Sequence, residues 1–218
     1  MNSKMLLYHG SNEIVKSPEF GKGREDNDYG RGFYCTESAE MAKEWACRNS
    51  DGYCNSYSLE TKGLRILDLN SDDLGILHWI TVLIENRKVD LRSAYSKSAR
   101  NFLVENYHID LSPYDVIRGY RADDSYFQFA RDFLDNAISV SQLSEAMRLG
   151  KLGEQIVLKS EKAFENLAFL GCENASFDIG GRRRIGRDIK ARGDYEAVRD
   201  RIPGPDDVFI MDLVRGRR

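Results

Sequence analysis

Three short segments bring together an imidazole, aromatic rings and a choice of carboxylate or carboxamide. They are Leu7-Tyr8-His9-Gly10-Ser11, then Gly30-Arg31-Gly32-Phe33-Tyr34-Cys35-Thr36 with Trp45 eleven residues after Tyr34, and Gly153-Glu154-Gln155-Ile156-Val157-Leu158. A His at a strand end followed by Gly sets an imidazole beside backbone that a ligand can approach, because Gly10 has no Cβ. A flat amide there has an N–H and a C=O to bond. The Gly-Arg-Gly-Phe-Tyr turn delivers a ring to a strand start. If the next helix folds back, Trp45 faces Tyr34 and the two enclose a planar ring. Such stacking contributes about 0.5–1.5 kcal/mol per pair, and more with a cationic ring. Glu154 and Gln155 are neighbours in a strand, so only one of them faces the slot. A carboxylate there steadies a developing positive charge, whereas a glutamine hydrogen-bonds but is no base. Singly, each residue also has an ordinary structural use, so the ordered combination is what points to a site.

Other chemistry-bearing residues have weaker settings. Asp123 and Asp124 follow the Ile117-Arg118-Gly119 turn and either supply a carboxylate to the slot or N-cap the helix beginning near Ser125. Asp28 and Arg31 sit in the loop before Tyr34, where a lid is plausible. His78 and His108 have no partners in sequence and read as structural. The four cysteines, Cys35, Cys47, Cys54 and Cys172, show neither paired nor zinc-type spacing, so reduced thiols and no metal are expected. A phosphate-binding P-loop is absent, as is a GxGxxG after a strand.

The elements that must position these residues follow from periodicity. Lys4–His9 is a β-type run, residues 11–32 a long polar loop, and Gly32–Thr36 a short aromatic strand edge. Ser38 can cap a helix carrying Met41, Ala42, Trp45 and Ala46. Tyr53–Leu59 and Arg65–Leu69 read as strands, and Asp72–Asn86 and Ser93–Tyr107 as helices. Tyr114–Gly119 is a buried strand, Ser125–Asn136 and Ser139–Leu149 are amphipathic helices, and Glu154–Ser160 is a strand. Glu161–Leu170 reads as a short helix, Gly186–Arg201 as a charged helix broken by Pro203-Gly204-Pro205, and Val208–Val214 as a closing strand.

Composition sets the frame. The 218 residues suit one domain with an appendage, and 41% apolar with 31% charged residues suits a globular core under a solvated surface. A net charge of −3 gives no overall drive towards nucleic acid or anionic lipid. The charge is uneven, however. Residues 176–218 are net +3, with Arg182-Arg183-Arg184 and terminal Arg215, Arg217 and Arg218, on a body of net −6. Such a tail meets a phosphate-bearing partner or is simply a solvated face. No leader and no membrane span are expected, which points to the cytoplasm.

The ordered His-Gly-Ser, Gly-Phe-Tyr and late Glu/Gln strand resembles the poly(ADP-ribose) polymerase and diphtheria-toxin branch of ADP-ribosyltransferases, whose signature is His, Tyr and Glu on three strands. Trp45 stands at the spacing of that branch's second stacking ring. A closer likeness is to a little-characterised bacterial family of that superfamily, DUF3990-like, in Tyr8–Ser11, Gly30–Thr36, Ala42–Ala46, Ala122–Asp124 and Gln155–Leu158. The resemblance implies an α+β fold with a split β-sheet core, a helical insertion and a C-terminal extension. It implies an NAD-binding domain over 1–170 and a basic extension over 171–218 packed on it. NAD is then the co-substrate, with His9, Gly10, Ser11, Tyr34, Trp45 and Asp123 as its binding residues. His9, Tyr34 and either Gln155 or Glu154 are the catalytic set. The bacterial likeness selects Gln155, the polymerase spacing selects Glu154, and Gln155 is preferred. The implied activity is mono-ADP-ribosyl transfer to a protein or nucleic-acid acceptor, as a toxin or defence effector with a possible antitoxin partner. NAD glycohydrolysis and an inactive NAD-binding module are the alternatives.

Overall fold

The computed structural model describes residues 3–91, 93–122, 124–149 and 153–216. The first strand, β1 (Lys4–Ser11), leads through a long loop to β2 (Phe33–Cys35) and α1 (Ala39–Ala46). Ser38 sets the start of α1, its Oγ accepting the Met41 N–H at 3.3 Å. Next come β3 (Gly52–Glu60), β4 (Ile66–Asp68), α2 (Ile76–Asn86) and α3 (Ala94–Tyr107). Then follow β5 (Val116–Tyr120), α4 (Asp124–Leu134), α5 (Val140–Ala146), β6 (Glu154–Leu158) and α6 (Glu161–Glu165). Ser139 caps α5, and the Gln142 Oε1 accepts the Ser139 N–H at 2.8 Å. The chain ends in β7 (Leu167–Ala175), a wide π-helical turn (Phe177–Gly181), α7 (Arg182–Arg199) and α8 (Ile210–Val214).

The strands form two sheets, β1-β3-β7 and β2-β6-β5-β4, and the architecture is α+β. Among the described residues one isolated backbone bridge, Tyr8 with Thr36, links the two sheets. Strand alternation then divides the interior into two cores. The inner faces of the sheets meet in one, around Leu7, Cys35, Leu59, Val116, Ile156 and Leu158, with Phe33 packed against it. The helices pack on the opposite face of the larger sheet in the other, around Trp79, Leu83, Phe129, Phe133, Ile117 and Val157.

Three expectations are corrected. The segment 161–170 is not one helix: α6 stops at Glu165 and the chain becomes β7, which pairs antiparallel with β3 from Gly52↔Ala175 to Leu59↔Leu167. The expected boundary after residue 170 therefore falls inside a strand. Residues 208–214 do not close as a strand. Phe209 makes one isolated bridge to Ser139, and the chain then turns into α8, because Asp212 accepts the Phe209 N–H at 3.1 Å and Asn136 accepts the Met211 N–H at 2.9 Å. The charged helix begins at Arg182, not Gly186, so the arginine triplet lies within α7. Two arginines of this helix reach acids of the body. Arg187 forks onto the buried Glu44 at 2.7 and 3.1 Å, and Arg183 pairs with Glu40. Among the described residues no helix is long and apolar enough to cross a membrane.

A candidate functional site where the sheets part

Tyr8 and Thr36 exchange both backbone hydrogen bonds, at 2.8 and 2.9 Å. In a continuing antiparallel ladder the next closely bonded pair would be Gly10 with Tyr34. That pair does not form. The Tyr34 carbonyl instead accepts a hydrogen bond from His9 Nδ1 at 2.7 Å. The imidazole thus stands as a wedge in the notch between β1 and β2. Alternation turns the N–H and C=O of Gly10 into the same notch, beyond the last bridge.

The wedge fixes the chemistry of His9. A carbonyl can only accept, so Nδ1 carries the hydrogen and Nε2 of the neutral ring is a bare acceptor. Burial holds the His9 pKa below its ordinary value, against the hydrogen bond to Tyr34, which favours the charged ring. The ring rests on Phe33, with centroids 4.4 Å apart. Nε2 therefore suits a hydroxyl donor.

Gly10 is required here for packing. A Cβ would lie 1.9 Å from the Ala42 carbonyl oxygen and 2.7 Å from the Ala46 nitrogen, so its absence lets α1 lie directly on the sheet. Ser11 ends β1 with its Oγ accepting the Glu13 N–H at 3.2 Å. The Tyr34 hydroxyl is committed to its own turn: it donates to the Gly30 carbonyl at 2.6 Å and accepts the Tyr29 N–H at 3.0 Å. Burial pushes its phenol far above the usual range, so it stays neutral and offers a ring. Trp45 and Tyr34 both pack against the helical core, but no ring contact joins them. The Arg121 guanidinium instead lies over the indole, 4.7 Å from its centroid. Asp123 lies outside the described residues.

Glu154 and Gln155 point to opposite faces, as alternation demands. Gln155 is 4% exposed, and its amide donates to Asp28 at 2.8 Å and to the Tyr120 carbonyl at 3.2 Å. Asp28 is itself buried and also accepts from Arg87 and from the Ala122 N–H, at 2.8 and 2.9 Å. Gln155, preferred from the sequence, is thus part of a sealed brace between the 28–30 turn and β5. Glu154 shares the inner face with Phe33 and with His9 of the other sheet. It accepts from Asn70 Nδ2 at 2.7 Å and pairs with Arg118, which also reaches Glu37 at 3.1 Å. Burial opposes the charge on Arg118, but Glu154, Glu37 and Asp68 outweigh it and hold the guanidinium above its ordinary pKa.

Sequence reasoning placed Asp28 only as a lid residue and missed Arg118, Arg121 and Asn70. Their roles depend on pairings across more than thirty residues, and the one local signal was the Asp28-Tyr29-Gly30 turn itself. Two open concavities share no residue with the notch. One, about 520 Å³, is lined by Glu25, Asp26, Arg87 and Arg100 among others, and the other, about 430 Å³, by Phe129, Arg192 and Tyr195 among others. No group of acids, histidines and cysteines suited to a metal occurs among the described residues.

Comparison with known proteins gives one family. Curated proteins and solved structures give no match. Residues 5–169 match the family described as a protein of unknown function (DUF3990). That span runs from β1 into β7 and takes in the notch, the Asp28 brace and the Arg118–Glu154 pair. The chain belongs to the DUF3990 family.

Proposed function

We propose that the notch binds the nicotinamide end of NAD and that the protein is a mono-ADP-ribosyltransferase with an ADP-ribosyltransferase-like split-sheet core. The carrying observation is the displaced ladder pair. His9 takes the Tyr34 carbonyl, which leaves the N–H and C=O of Gly10 side by side at an open strand edge. A primary carboxamide is complementary to that edge, donating to the C=O and accepting from the N–H. Nε2 of His9, an acceptor with no proton, then takes a ribose hydroxyl. Tyr34 and Trp45 lie against the helical core, on the face of the sheet opposite Glu154, and flank the notch from that side.

Glu154 becomes the third residue of the site in preference to Gln155. Its carboxylate stands on the His9 face, and its side chain is 31% exposed. Paired with Arg118, its carboxylate opposes the positive charge that develops on the ribose as the C1′–N bond breaks. The bonding pair leaves with nicotinamide. The acceptor's nucleophilic atom adds to C1′ and loses its proton. Water as acceptor gives NAD glycohydrolysis at the same site. The acceptor, any inhibitory partner and a toxin role stay expectations from the resemblance.

The test is nicotinamide release from labelled NAD by the purified protein, alone and with cell lysate. Wild type should release nicotinamide, and His9→Ala and Glu154→Gln should lose release by at least about a hundredfold, the scale of one positioned charge or donor. Equal rates in all three would remove the proposal, and label on macromolecules or on none separates transfer from hydrolysis.

A further inference from the structure

The inner side of α7 is buried through Ala191, Tyr195 and Val198, and Arg187 anchors it to Glu44. Its outer side faces solvent. At 3.6 residues per turn, Arg182, Ile185, Gly186, Ile189, Gly193 and Glu196 share a stripe about 100° wide, opposite the buried residues. Ile185 is 45% exposed and Ile189, one turn on, 65%. Nothing in the described chain comes within 4 Å of the place a Cβ would take at Gly186 or Gly193. Neighbouring exposed isoleucines on an otherwise charged helix mark a contact surface. The two glycines weaken the helix, and no close approach within the chain accounts for them.

The stripe is complementary to itself about Ile189. Arg182 and Glu196 stand seven residues to either side of it, and Ile185 and Gly193 four residues to either side. Two copies laid antiparallel on a two-fold axis through Ile189 set Arg182 against Glu196 and Ile185 against Gly193, each twice. Opposite charges meet, and a branched side chain meets a hollow that no Cβ fills. Arg182 is spare for this role, since its ion pair with Asp178 is long, at 3.6 Å, and both side chains are largely exposed. Parallel alignment would set Arg182 against Arg182. The ends lengthen the seam. Ile179 before α7 and Ile202 after it are both exposed, and antiparallel alignment brings one copy's Ile179 to the end that carries the other's Ile202.

We propose that the outer face of α7 is a dimerisation surface on which a second copy of this chain docks antiparallel, Ile189 against Ile189. The inference is independent of the nicotinamide reading of the notch. A single helix pair falls short of the roughly 1,600 Å² of a standard interface, so association is reversible and concentration-dependent.

Sedimentation velocity of the full chain over a micromolar concentration series tests it. Wild type is expected to pass from monomer to dimer as concentration rises. Ile189→Asp sets two carboxylates together on the axis and is expected to stay monomeric, with an unchanged circular dichroism spectrum because the position is exposed. Arg182→Glu is expected to weaken the dimer at least about fivefold, since two opposite-charge pairs become like-charge pairs. Adding Glu196→Arg to it is expected to restore association, which only the antiparallel register explains. Should Ile189→Asp fail to fold, the charge-swapped pair still decides. A wild-type chain that is monomeric at every concentration overturns the proposal, and so does a dimer that survives Ile189→Asp. A monomer that instead binds phosphatidylserine vesicles or an acidic peptide gives the face to another occupant and likewise overturns the second copy.

Discussion

His9→Ala offers the most direct access to the notch, because its effect should be structural as well as functional. With the imidazole gone, nothing occupies the Tyr34 carbonyl, and the Gly10 N–H is the next donor in register to take it. The ladder should close by one pair. A net backbone hydrogen bond is worth about 0.5–1.5 kcal/mol, which corresponds to roughly two- to thirteenfold slower exchange of the Gly10 amide hydrogen. The Tyr8 amide, already bonded to Thr36, should exchange at its wild-type rate and serves as the internal control. Removing a ring stacked on Phe33 also costs packing, so global stability must be measured alongside. Residue-resolved hydrogen exchange by NMR reads both amides in one experiment. A Gly10 amide already protected in the wild type, or one equally fast in both proteins, would refute the wedge and with it the open strand edge.

Further outcomes follow from particular contacts. Because burial lowers the folded-state pKa of His9 below 6.5, the unfolded chain binds a proton first as pH falls; the associated stability is full above about pH 6.5 and declines below it, in denaturation curves taken from pH 7.5 to 5. His9→Gln should flatten that slope. Gly10→Ala must move α1, since the nearest atom is backbone at 1.9 Å, and should destabilise by about 1–3 kcal/mol or more. Gly193→Ala, in α7 with open space around it, should stabilise by about 1 kcal/mol, and urea midpoints of the two variants should move in opposite directions. Arg187→Ala leaves Glu44, 2% exposed, without its forked partner and should cost about 3 kcal/mol. Glu44→Gln should cost less, since Arg187 is a quarter exposed and can rehydrate; the reverse order would show that α7 does not depend on this pair.

Most elements were legible because their causes are local. Ser38 and Ser139 cap the helices they precede, and the apolar residues at helical spacing after Ser38 and across 76–86 do face a core. The strand β7 was not legible. Leu167–Ala175 contains Gly171 and ends in Cys-Glu-Asn-Ala, with no apolar alternation in its second half to signal a strand; it is extended because β3 offers an edge more than a hundred residues earlier, with a bulge at Ser56/Tyr57 to fit it. The apolar run 208–214 fits a strand or a helix on composition, and Asp212 and Asn136 decide it. At the candidate site, the sequence singled out His9, Gly10, Tyr34 and Trp45 by type and order, and the structure places His9 and Gly10 at the notch and Tyr34 and Trp45 against the helical core. Which of Glu154 and Gln155 faces the helices was not legible, because it is set by the Asp28 and Tyr120 partners of Gln155.

The order of strands in the two sheets sets a timetable for the growing chain. The strand β2 has no partner in its own sheet until β6 is made, and β3 remains a sheet edge until β7 is made. Both waits span more than a hundred residues, roughly 6–24 s at ordinary synthesis rates. Through that interval Phe33, Leu59 and the apolar faces of α2 lack their final cover, which favours capture by chaperones or self-association. Fragments ending before residue 154 should accordingly be insoluble even though they hold the His9 and Tyr34 segments intact.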